Sequence, residues 1–207
     1  MKANELLLEQ HRVVEDLFEQ FEDTDDVQEK RDIFEWLAAN LVSHDAIERE
    51  LFYPACEKEL GEKDDVLGES LVEHGVVEFC LYRADANRMS DDFDKYVTVL
   101  KEVVMHHVGE EEKELFPKVK SQMDGDELET LGAKMAKRFE EALKADFREP
   151  LEEALDQVLE GRTKTQKKAS TGGQPRAKAN PRGKNHRAEP RAAKRRPSQA
   201  KSRRSRG

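Results

Sequence analysis

What this chain lacks narrows its reading before any motif does. Its unbroken apolar runs are only a few residues long, as at Leu6-Leu7-Leu8 or Val103-Val104-Met105, whereas a membrane-spanning helix needs about 20. No segment is therefore expected to cross a bilayer. The start, Met1-Lys2-Ala3-Asn4-Glu5, has no apolar stretch leading to a small-residue cleavage site, so a secretory leader is not expected. Two cysteines, Cys56 and Cys80, cannot build a disulfide framework, and in an unexported chain they would stay reduced. A cytoplasmic location is the expectation. Hydrophobic residues make up 36% and charged residues 39%, which excludes a large apolar core. Proline is rare before Pro150 and nothing alternates with period two, so sheet content should be near nil. There is no His-Glu-x-x-His, Cys-x-x-Cys, phosphate-binding glycine loop or Gly-x-Ser-x-Gly, which removes zinc-protease, nucleotide and α/β-hydrolase chemistry.

What is present is a chain of two opposite charges. The net charge of -9 conceals a C-terminal stretch, 162–207, with 17 Lys or Arg against the single acid Glu189, a charge of +16, which leaves -25 on residues 1–161. The basic stretch has no apolar residue larger than alanine and carries Pro175, Pro181, Pro190 and Pro197. It has too little to bury to offset its ordering entropy, so a disordered tail is expected, with the domain boundary near Gly161. Clusters such as Lys194-Arg195-Arg196 and Arg203-Arg204 can bind nucleic-acid phosphates without sequence preference through counterion release. No aromatic residue is interleaved for stacking on bases. A solubilising or self-shielding extension of an acidic body, or a nuclear address, has the same composition.

Residues 1–161 read as helices with one repeated stripe. Leu7, His11, Val14, Phe18 and Phe21 follow one another at spacings of four and three. The same spacing returns in Leu37, Leu41, His44, Glu48 and Leu51, after an Asp25/Gln28 capping-box pattern. It returns again in Leu67, Leu71, His74, Glu78 and Leu81. A fourth segment follows a Ser90-Asp91 cap signal with Phe93, Val97, Leu100, Val104, His107 and Glu111. After Met123-Asp124-Gly125 comes an additional helix with Leu128, Leu131, Met135, Phe139 and Leu143, and the acidic part closes on an amphipathic stretch at Leu151, Leu155, Val158 and Leu159. The predicted fold is all-α, an up-down antiparallel four-helix bundle with an additional C-terminal helix. Trp36, Phe34 and Tyr53 are expected in packing roles, and Cys80 as a small core residue.

Each of the four stripes carries a histidine near its middle. With about three positions in seven facing a core, four such placements by chance have a probability of about 3%. His44 to Glu48 and His107 to Glu111 are four apart, which stacks both side chains on one face. Buried carboxylates need a partner, and a metal ion is one of the few that suffices. An internal repeat marks the same residues: the histidine stands ten and the glutamate six residues before Pro54 and Pro117. That register favours His107 and Glu111 over the neighbouring His106 and Glu110.

The ordered set His11, His44-x-x-x-Glu48, His74, His107-x-x-x-Glu111, with its Leu-Phe-Tyr-Pro and Glu-Leu-Phe-Pro endings, resembles the hemerythrin-like, or HHE cation-binding, domain family over about residues 4–120. The resemblance implies two non-haem iron ions, oxo- or hydroxo-bridged, with His11 and His44 on one, His74 and His107 on the other, and Glu48 and Glu111 bridging. It also implies a small ligand such as oxygen, nitric oxide or peroxide. Two departures matter. Glu78 stands where oxygen-carrying hemerythrins have a second histidine, and Glu111 where they have an aspartate. Glu78 is open between a metal ligand and a carboxylate that orients one, and as a ligand it would add a hard donor that disfavours simple oxygen carriage. Asp45, one step off the stripe, is a further carboxylate candidate.

Three functions follow as expectations: a di-iron protein that binds or senses a small ligand or handles iron; an enzyme in which the same site decomposes peroxide or oxidises ferrous iron; or a nucleic-acid-associated protein with a structural metal. The ferritin-like pattern, Glu-x-x-His, is the wrong order and spacing.

Overall fold

The computed structural model describes residues 1–61 and 64–159, and among these every regular element is a helix. They are α1 (Ala3–Asp23), α2 (Val27–Ile47), α3 (Tyr53–Leu60), α4 (Asp65–Ala86), α5 (Phe93–Glu110), α6 (Phe116–Gln122), α7 (Gly125–Ala142) and α8 (Arg148–Leu159). Two π-helical turns, Glu48–Phe52 and Glu111–Leu115, join α2 to α3 and α5 to α6. The basic stretch and the boundary proposed at Gly161 lie outside the described residues. No helix among those described is long and apolar enough to cross a membrane.

The core has two apolar bodies. One gathers Phe18, Phe34, Leu37, Phe93 and Leu100; the other gathers Leu7, Ile47, Phe52, Leu115 and Met135. Each of α1, α2, α4 and α5 contributes to both bodies or continues from one into the other. Along the chain α1 runs from Leu7 in the second to Val14 in the first, α2 from Leu41 in the first to Ile47 in the second, α4 from Leu67 to Leu81, and α5 from Val97 towards Leu115. The four directions therefore alternate. The histidine on each helix falls between the two bodies, so a polar layer divides the core.

Several local expectations shift by a residue. Asp26, not Asp25, caps α2, its carboxylate accepting from the backbone N–H groups of Gln28 and Glu29, while Thr24 Oγ1 accepts from Asp26 N. Ser90 accepts from Asp92 N, and α5 starts after Asp92 with no side-chain cap. On α4 the buried stripe takes Ser70, whose hydroxyl bonds the Val66 carbonyl at 3.0 Å, and leaves Leu71 44% exposed. Trp36 is not a packing residue, at 62% exposure, whereas Phe34 is fully buried. Cys80 is partly buried against the first apolar body.

The additional helix expected after Gly125 is α7, and the amphipathic stretch that follows it forms a further helix, α8. On α7 Leu128, Gly132 and Met135 are buried. A Cβ at Gly132 would lie 2.4 Å from the Met1 carbonyl oxygen, so only glycine lets α7 lie against the start of α1. Arg138 on α7 forms a bidentate pair with Glu50, both contacts at 2.7 Å. Arg148 ties α8 to α4 through Asp85, at 2.8 and 3.0 Å, and to α2 through Glu35.

Candidate metal centre

Six side chains meet in the polar layer. Each stripe histidine is buried: His11 on α1, His44 on α2, His74 on α4 and His107 on α5. Glu48 and Glu111, the first residues of the two π turns, are wholly buried. Glu48 Oε2 lies 3.1 Å from His44 Nε2 and 3.3 Å from His74 Nε2. Glu111 Oε2 lies 3.4 Å from His11 Nε2 and 3.6 Å from His107 Nε2. His74 and His107 bring their Nε2 atoms to 3.0 Å. His11, His44, Glu48 and Glu111 each place one donor atom within 4.8 Å of the others, and Glu48 does the same with His74 and His107.

Every imidazole points Nε2 inward and Nδ1 outward, and each Nδ1 meets an oxygen. His44 meets Gln10 at 2.8 Å, His74 meets Asp45 at 2.5 Å, His107 meets Glu73 at 2.9 Å and His11 meets Glu112 at 3.0 Å. These partners form a ring. Gln10 stands beside His11 yet serves His44; Asp45 stands beside His44 yet serves His74; Glu73 stands beside His74 yet serves His107; Glu112, beside Glu111, returns to His11. In a neutral imidazole, a carboxylate or amide oxygen that accepts the Nδ1–H hydrogen bond leaves the Nε2 lone pair free for a metal ion and raises its basicity.

Tyr53 is the residue that sequence reasoning placed elsewhere. Its hydroxyl lies 2.7 Å from His74 Nε2 and donates to Glu111 Oε1 at 3.0 Å. The π turn brings it in, five residues after Glu48 rather than four. The equivalent residue after Glu111 is Phe116, which stacks on His11 at a centroid distance of 5.7 Å. The only sequence sign was the shared position of both residues one before a proline.

Glu78 is buried but belongs to neither grouping. It lies one turn beyond His74 with Oε1 3.0 Å from Arg49 Nη2, and Arg49 also bonds Asp45 at 2.7 Å. Burial, then the charge of Asp45, raises the Glu78 pKa despite Arg49 and His74. Asp45 acts on His74 rather than as a member of either grouping. His106 is 65% exposed and sits with Glu73 and Glu110 at the surface.

The electrostatics follow from acids and imidazoles crowded away from water. Burial works against a charge on His74, but Asp45 and Glu48 outweigh it and push its pKa up to about 10. Burial likewise opposes ionisation of Glu48, and His44 and His74 overcome it, holding the carboxyl well below its ordinary range. The Tyr53 phenol is pushed well up by burial and by the Glu48 and Glu111 charges. A cavity of about 220 Å³ opens beside the layer, with His11, His44, His74 and His107 on one wall and Val14, Leu41 and Leu81 among its apolar residues.

The donor set passes a direct test for a cation. His11 Nε2, His44 Nε2, both Glu48 oxygens and Glu111 Oε2 are buried without a hydrogen-bond donor. Such acceptors facing one another are costly, and a metal ion bound to them removes the cost. Two imidazoles with shared carboxylates on each side suit a borderline or hard first-row ion.

Among the described residues the domain is all-helical, and its buried layer of imidazoles and carboxylates is a donor set that could hold a cation. The hemerythrin HHE cation binding domain family matches residues 2–119, and the chain belongs to that family. Its fold is similar to the crystal structure of a hemerythrin HHE cation binding domain-containing protein from Mycobacterium kansasii, with a TM-score of 0.64 and 25% identity over 75% of this chain and 99% of that one. No curated protein sequence matches the chain.

Proposed function

We propose that the chain holds two non-haem iron ions in an up-down four-helix bundle and uses them to bind or sense a small ligand such as oxygen, nitric oxide or peroxide, or to handle iron itself. His11 and His44 would serve one ion, His74 and His107 the other, with Glu48 and Glu111 shared. The observation that carries this reading is the position of Glu48 in both donor groupings, which suits a bridge between two ions and not a single isolated one. Bound there, iron would supply a reversible redox change and an open position for a small ligand.

The chain's own residues prepare that chemistry. Gln10, Asp45, Glu73 and Glu112 fix the orientation and tautomer of the four imidazoles before any ion arrives. Tyr53 holds a hydroxyl proton between His74 and Glu111, where it can be offered to a ligand at that side of the layer. Val14, Leu41 and Leu81 give the adjoining cavity an apolar wall, while Asp45, Arg49 and Arg138 also line it. The share of volume per water in the liquid is about 30 Å³, so the adjoining cavity admits a diatomic ligand easily.

The test is the metal-to-protein ratio, by elemental mass spectrometry, on the full chain purified without a histidine tag or chelator. About two irons per chain is the expected result, as in other helical di-iron carboxylate sites. Zinc alone, or no metal in a folded helical protein, would overturn the reading.

A further inference from the structure

The outward face of α4 exposes a run of apolar side chains on a domain of net negative charge. Val72 is 70% exposed, and Val76 and Phe79 are each 45% exposed. With Gly68 and Gly75 they form one stripe at helical spacing, on the side opposite His74 and Glu78. The neighbouring helix extends it. Tyr96, Val99, Val103 and His106 share a stripe of α5, and its two ends touch the α4 flank, Tyr96 at Arg83 and His106 at Glu73. Val99, half exposed, therefore borders the same face. Contiguous exposed apolar surface of this kind marks an association site.

Charge says what covers it. Glu69 and Arg83 lie seven residues to either side of Val76, two helical turns in each direction, so the three share one line along α4 about 21 Å long. Both charged residues are exposed. Arg83 is held in place by the Tyr96 hydroxyl at 3.2 Å and lies 5.4 Å from the centre of that ring. A second copy of α4 laid antiparallel, with the two-fold axis at Val76, puts Glu69 against the partner's Arg83 at both ends and apolar residues between. A parallel pairing would set Glu69 on the partner's Glu69 and Arg83 on the partner's Arg83.

We propose that the protein forms a two-fold homodimer through this face, α4 against the α4 of a second copy, centred on Val76 and closed at each end by a Glu69–Arg83 pair. The arrangement is isologous and self-complementary, as a two-fold interface must be. One helix pair with a flank of α5 is at the small end of interface sizes, so dissociation in the micromolar range is expected. The metal layer lies on the other side of α4, and its occupancy is independent of this contact.

Sedimentation of the full chain over a range of concentrations should show a reversible monomer–dimer equilibrium. Val76→Asp should leave a folded monomer, with helix content by circular dichroism and metal content unchanged. Arg83→Glu should weaken the dimer roughly tenfold, because it sets like charges together at both ends, and Glu69→Arg/Arg83→Glu should restore it. In a Cys80→Ser background, diamide should link Val76→Cys chains into disulfide dimers, because residue 76 meets itself on the axis, while Val13→Cys on α1 stays unlinked. A chain that is monomeric up to millimolar concentration overturns the proposal. So does a dimer indifferent to Val76→Asp, or a charge swap that fails to restore association.

Discussion

Replacing His44 or His107 with alanine deletes one inward Nε2 and leaves Gln10 or Glu73 without the proton it accepts. Metal content should fall below half, and the melting temperature gained on metal loading should fall with it, since metal binding free energy is partly folding free energy. His106→Ala, at an exposed position, should keep its full metal and shift stability by less than about 0.5 kcal/mol. Glu73→Gln keeps the shape beside His107 but withdraws the charge, and should weaken metal affinity roughly tenfold. Elemental analysis after dialysis against graded chelator reads all four variants, and equal content throughout would remove the site assignment. The six layer residues were legible because each lies on a stripe whose period can be counted. Of their outward partners only Asp45 was singled out, and as a candidate metal ligand and not as a partner of His74. Gln10, Asp45, Glu73 and Glu112 each sit one position off a stripe, and each serves a histidine on another helix, a relation that only tertiary packing sets. Tyr53 stayed hidden for a different reason: the count in steps of three and four runs from Glu48 to Leu51, and a five-residue step was needed to see it.

That five-residue step is a property of the element. Both π turns begin at a layer glutamate and end two residues before a proline, and in each the closing N–H, from Tyr53 or Phe116, reaches back five residues to the carbonyl of Glu48 or Glu111. A proline inside an α-helix has no N–H to give, and its ring strikes the carbonyl four residues back. For Pro54 and Pro117 those carbonyls belong to Glu50 and Lys113, and widening the turn before each proline relieves the clash. π turns of this kind occur often at functional sites. They also settle the register of the internal repeat: Phe52 matches Leu115 and Tyr53 matches Phe116, all four buried, while Leu51 matches the exposed Glu114. Replacing both prolines with alanine should leave helix content and melting temperature unchanged or higher, yet lower metal content, because a regular helix would turn Tyr53 and Phe116 away from the layer. Unchanged metal content would mean that the packing of those rings, and not the prolines, holds the turns open. The helices themselves were legible from period, but their starts were not. Thr24-Asp25-Asp26 and Ser90-Asp91-Asp92 each offer three cap-capable residues in a row, and composition cannot choose among them.

At the scale of the whole molecule the polar layer opposes the fold until something neutralises it, and pH shows which thing does. In the metal-free protein the His74 pKa is raised to about 10 by Asp45 and Glu48 against the cost of burial. The folded state then keeps a proton that the unfolded chain gives up near 6.5. Stability from this group is fully present below that lower value, declines as pH rises, and is gone above the upper one. Glu48, held well below its ordinary range by His44 and His74, has the opposite sign, contributing above its unfolded pKa and failing as acid protonates it. Metal-free protein should therefore be most stable in mildly acidic solution. A metal ion needs the Nε2 lone pairs bare, so loading must expel the proton on His74, and affinity should climb with pH over the range in which the metal-free fold weakens. Melting curves of chelated and iron-loaded full chain at about pH 6 and about pH 9, on either side of the unfolded histidine value, should show the chelated form falling and the gap between the two forms widening. A gap that narrows with pH would mean that the ion binds somewhere other than the histidines. The experiment needs α7 and α8 as well as the family match that ends at residue 119, because Arg138, Pro150, Leu151 and Ala154 line the cavity beside the layer, with α7 packed on α1 through Gly132 and held by Arg138–Glu50, and α8 held by Arg148.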